Sequence, residues 1–105
     1  MLDRTRSNYI ELLSEVFMTK KFNSKVYVTL RPSVLDPAGT AVESGLHQLG
    51  YEGVENIRIG KYIELTISAD SEESADKQIH AMCDQLLANP VIENYTFDLV
   101  PFPQD

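Results

Sequence analysis

Tryptophan is absent from this sequence and cysteine occurs once, at Cys83. A single thiol excludes an intramolecular disulfide, so packing alone must hold the interior, which suits a reducing compartment. Missing too is any run of about 18 apolar residues, the least a membrane-spanning helix uses. Residues 1–22 carry Asp3, Glu11 and Glu15 where a secretory signal would be apolar. The expectation is a soluble protein of the cytoplasm. Positive charge is scarce: 9 basic side chains face 16 acidic ones, for a formal net charge of -7. Such a surface repels phosphate backbones and anionic lipid, so neither nucleic acid nor membrane is an expected partner.

The 105 residues, 43% of them hydrophobic, are enough for one domain and too few for two cores. From Lys25 to Arg31 the chain alternates, with Val26, Val28 and Leu30 on one face and Tyr27, Thr29 and Arg31 on the other, the period of a half-buried strand. Asp36 then supplies an N-cap acceptor ahead of Pro37, a first-turn residue that needs no N–H partner. Ala38, Ala41, Val42, Gly45, Leu46 and Leu49 follow helical spacing, and Gly50 can close the helix in a left-handed cap.

Val54 to Ile59 and Tyr62 to Ser68 alternate again, with only Gly60 and Lys61 between them, which predicts a hairpin of two strands. Asp70 with Glu73 predicts a capping box, and Ala75, Ile79, Met82, Cys83 and Leu86 trace the buried stripe of a second helix. Val91 to Val100 reads as a last strand, stopped by the prolines at 101 and 103.

The order strand, helix, strand, strand, helix, strand predicts a ferredoxin-like α+β domain over residues 23–105, an antiparallel sheet with two helices on one face. Its other face would carry Tyr27, Thr29, Arg31, Arg58, Tyr62, Glu64 and Thr66, and Asn94 or Tyr95 according to the last strand's register. Mixed aromatic and charged side chains of that kind suit a protein partner. Residues 1–22, with Tyr9, Leu12, Leu13, Val16 and Phe17 at helical spacing, read as a short amphipathic helical extension, unless Met18 is the true start.

Reactive constellations are harder to find. The two imidazoles, His47 and His80, sit on different predicted helices, and Cys83 lies on a buried stripe where a thiol behaves as a small hydrophobe. Zinc would need closely spaced ligand pairs that are not there. Glu72 and Glu73 suit the positive end of a helix dipole, and the loop from Arg31 to Pro37 lacks the glycines of a phosphate cradle. No catalytic, cofactor or metal site is expected in the chain.

Three stretches taken together resemble the PurS family: Lys25–Leu30 with Arg31-Pro32-Ser33-Val34-Leu35-Asp36-Pro37-Ala38-Gly39, then Val54 through Leu65, then Cys83 through Glu93. The resemblance covers about residues 25 to 99 in order. It implies a non-catalytic subunit of phosphoribosylformylglycinamidine synthase, a homodimer or tetramer that bridges a glutaminase subunit and a large synthetase subunit. ATP and magnesium would belong to the large partner. Position on the predicted open face or hairpin makes Arg31, Arg58, Lys61 and Tyr62 the candidate contact residues. The alternative is an ACT-like module that binds a small molecule between paired domains, although its ligand turn is usually glycine-bearing and this loop is proline-rich.

Overall fold

The computed structural model describes residues 20–102. The expected N-terminal helix therefore lies outside the described residues, except that 20–22 already belong to the first strand. Five elements follow in order: β1 (Lys20–Leu30), α1 (Pro37–Gln48), β2 (Lys61–Ala69), α2 (Glu72–Met82) and β3 (Glu93–Pro101). The strands form one antiparallel sheet in the order β2-β1-β3, with Val26 opposite both Ile63 and Phe97. This is the ferredoxin-like α+β class, built on three ladder strands and two helices.

The alternation seen from Lys25 onward starts earlier than the sequence suggested. Phe22, Ser24, Val26 and Val28 all point inward and are buried, while Lys21, Lys25, Tyr27 and Thr29 face out. Over them lies α2, whose Ala75 and Ile79 are fully buried with Cys83 just beyond the helix. Half-buried Ile63, Leu65 and Ile67 flank this core on one side and Tyr95, Phe97 and Leu99 on the other. Full burial of side chains such as Val26, Val28 and Ile79 contributes about 1.5–3 kcal/mol each. Ser24, polar among these apolar neighbours, donates to the carbonyl of Asp98 at 2.7 Å, so its hydroxyl is satisfied.

Caps fix the helix ends. Asp36 caps α1 as expected, and at the other end Gly50 at φ 102° closes a Schellman turn in which Tyr51 and Gly50 donate to Leu46 and His47. For α2 the cap is Ser71, which accepts from the Ser74 amide at 3.0 Å, one residue after the expected Asp70. Past Met82 the chain widens into a π-helical turn, Cys83–Leu87, closed by the Ala88 amide on the Cys83 carbonyl.

Two further details differ from the sequence reading. The segment 54–59 alternates like a strand but joins no ladder, and two of its backbone donors are taken by carboxylates: Ile59 N–H by Asp36 and Ile57 N–H by Glu43. Asn56, at φ 61°, also breaks the extended run. Lys61 is thereby strand and not turn, paired opposite Val28. Second, α1 contributes no residue to the core clusters and buries only Gly39. It forms, with the returning residues 51–60, an arm outside the core.

Candidate functional site

Cys83, His80 and His47 each make structural contacts. Burial, with help from the Asp84 carboxylate, pushes the Cys83 thiol up and so keeps it protonated. His80 does not serve it: Nδ1 lies 3.0 Å from the Tyr95 hydroxyl, which donates to Asp84 Oδ1 at 3.1 Å, and the ring rests edge-on against Phe97. Partial burial and the Asp84 contact raise the Tyr95 phenol as well. His47 donates from Nε2 to the Val54 carbonyl at 2.7 Å, tying the end of α1 to the returning chain. Among the described residues no group of three or more His, Cys, Asp or Glu side chains could hold a metal ion.

Among the described residues, one face of the sheet carries no helix. Register places its side chains in rows: Glu64, Lys25 and Asp98 across one level, Tyr62, Tyr27 and Thr96 across the next. An open groove of about 410 Å³ runs along β1 and β2 beside Asn23, Lys25, Glu64 and Thr66. Tyr27 and Tyr62 pair at 5.3 Å between ring centroids and remain 44% and 51% exposed, so neither ring is spent on the core. The Tyr62 hydroxyl donates to Glu64 at 2.7 Å, and that bond, with partial desolvation, pushes its pKa up to about 12. Of the two alternatives for β3, Asn94 falls on this face, opposite Thr29, while Tyr95 points to the helix side.

The four residues singled out from sequence separate into three places. Tyr62 is on the open face, as expected. Lys61 sits at the start of β2, 3.6 Å from Glu93 and within 3.4 Å of the Leu87 carbonyl. Arg31 and Arg58 leave the sheet face and meet at the base of the arm. Arg58 donates to the carbonyls of Arg31 at 2.9 Å and Val34 at 2.8 Å, while the Arg31 guanidinium donates to the Pro90 carbonyl. Sequence reasoning missed Tyr27 as a partner for Tyr62, although cross-strand pairing could have found it. It also missed the second task of Asp36, which accepts from Gly39 and Ile59, each at 2.8 Å.

These features define a small ferredoxin-like α+β protein that offers its surroundings an open, aromatic sheet face and an exposed arm. The family profile PurS, phosphoribosylformylglycinamidine (FGAM) synthase, matches residues 23–101, and the chain belongs to that family, whose members are subunits of the synthase in purine biosynthesis. The PurS subunit of Synechocystis sp. is 65% identical over 82 residues, 78% of this chain and 82% of that one. Its counterpart in Bacillus subtilis is 49% identical over 78 residues, 74% of this chain and 92% of that one. The crystal structure of B. subtilis PurS superposes with a TM-score of 0.68 over 74% of this chain and 96% of that one. A chain in the structure of PurLQS from Thermotoga maritima, 32% identical, does so with a TM-score of 0.70 over 76% and 98%.

Proposed function

We propose that this chain is the assembly subunit of FGAM synthase: it supplies no reacting group, bridges the glutaminase and the large synthetase subunits, and helps ammonia pass between them. The synthetase binds ATP and magnesium and aminates formylglycinamide ribonucleotide with the ammonia that the glutaminase frees from glutamine, all in the cytoplasm. Ammonia released into water becomes mostly ammonium, which is no nucleophile, so a complex that keeps the two sites close and dry gains rate without new chemistry at the bridge. The observation that carries this reading is the 76% of the chain that superposes on a chain within the Thermotoga PurLQS structure. Exposed contact surface agrees with it. Tyr62, backed by Tyr27, is the aromatic anchor of the open face; Arg31, Arg58 and Lys61 shape the rim, each with N–H donors to spare for a partner's carboxylates.

Self-association, as a homodimer or a tetramer, belongs to the same proposal. The outer edge of β2 has no ladder partner among the described residues. The arm carries apolar Val42 and Leu49 at 43% and 75% exposure. An arm from a second copy, laid beside β2, would cover both.

The test is amination of formylglycinamide ribonucleotide by the purified glutaminase and synthetase subunits, with and without this chain, fed either glutamine or free ammonia. The chain is expected to raise the glutamine-fed rate and leave the ammonia-fed rate unchanged. No effect on the glutamine-fed rate would sink the bridging role.

A further inference from the structure

The arm is a closed unit fastened at its base by Asp36 and by Arg58. At its far end His47 holds the Val54 carbonyl, and midway Glu43 accepts from the Ile57 amide at 3.4 Å. Gly39 lets the first turn of α1 approach so near that a Cβ there would collide with the Ile57 carbonyl oxygen. At the base Asp36, only 6% exposed, spends one carboxylate oxygen on Gly39 N–H and the other on Ile59 N–H. The first bond is an ordinary helix cap. The second does nothing for the helix; it reaches 23 residues along the chain and fastens the point where the arm returns to the sheet. One residue later Gly60 is wedged so closely against β1 that a Cβ would stand 2.6 Å from the Val28 carbonyl oxygen. Asp36 thus ties the start of the arm to its end at the place where both join the sheet.

Resting on the bridging role proposed above, we infer that Asp36 is a positioning residue for ammonia transfer: its bond to Ile59 sets the angle of arm to sheet, and with it the spacing of the partner subunits. Arg58 also ties the return to the 31–34 loop, but among the described residues Asp36 alone joins the first turn of α1 to the return, since the Glu43 carboxylate binds within the arm. Small errors of placement are costly in coupled sites, where a displacement of about 1 Å can lose about a hundredfold in rate.

Asp36→Ser separates the two jobs, since a serine hydroxyl caps a helix well but is too short to reach Ile59 as well. In the complex of all three subunits, this variant is expected to lower the glutamine-fed rate about tenfold while the ammonia-fed rate stays at the wild-type value. Hydrogen exchange on the variant chain should show the Ile59 amide unprotected with the Gly39 amide and the β1 amides still protected. If the serine variant fails to fold, Asp36→Asn serves in its place: one oxygen keeps the cap and the amide nitrogen confronts the Ile59 N–H, so the same split of rates is expected. Both rates equal to wild type, or both falling together, would overturn the inference. A wild-type chain that never raises the glutamine-fed rate would sink the bridging role instead, before any variant is compared.

Discussion

Tyr62 shows how a single exposed side chain can be tuned by its neighbour. Its phenol ordinarily loses its proton near 10.0, and the hydrogen bond it donates to Glu64 pushes the pKa up to about 12. A folded pKa raised above the unfolded value means stability that is present in full below the unfolded value and lost as pH climbs through the folded one. That window lies between about 10 and 12. Spectrophotometric titration should find Tyr62 among the last tyrosines to ionise, and Glu64→Gln should bring it back toward the others. Superimposable titrations of variant and wild type would refute the assignment. The same scale shows what sequence could not supply. Arg31 and Arg58 were legible as charges near an expected face, yet where a guanidinium goes depends on which carbonyls are left unpaired nearby, and those appear only once the loop is folded. Asp36 was legible as a cap, while its bond to Ile59 spans too many residues for any local pattern to reveal.

Among the elements, β1 and α2 were the most legible because burial writes itself directly into spacing: Val26 and Val28 repeat every two residues, Ala75, Ile79 and Cys83 every four. Ile79 lies at the centre of that contact, fully buried beside Val26, Val28 and Cys83. Ile79→Ala is expected to cost about 2–5 kcal/mol, which for a domain this size lowers Tm by at least about 8 °C. A calorimetric change of only a degree or two would show that the helix is not what closes the core. The segment 54–59 illustrates the opposite case. Alternation reports side chains, whereas a ladder needs free backbone donors, and here Asp36 and Glu43 had claimed two of them. Helix α1 was likewise found but not placed: its stripe of Ala41, Val42 and Leu49 is a face prepared for burial, and the sequence does not say whether the burying surface belongs to the same chain.

At the scale of the whole molecule, that last point becomes measurable. If the arm is covered by a second copy, Val42→Glu combined with Leu49→Glu should leave the monomer folded, since neither residue belongs to the core clusters. Sedimentation should then show the doubly substituted chain as a monomer at concentrations where wild type is dimeric. A variant that remains dimeric would move the self-contact elsewhere, with the open face around Tyr27 and Tyr62 the next surface to test. Surface charge adds to this picture: at -7 overall the chain is repelled by its own copies at long range, so any pairing has to come from short-range apolar and backbone contacts.

Backbone contacts of that kind are not selective. Strand β3 is blunted by Asp98 and by Pro101, but β2 has no proline, and its charges, Lys61 and Glu64, fall in its first half. Among the described residues the stretch from Leu65 to Ala69 has no partner on its outer edge, which leaves a template on which an extended chain can stack. A chain prevented from pairing with its own copy is therefore expected to aggregate through this edge, so the arm that covers it also protects the protein's solubility.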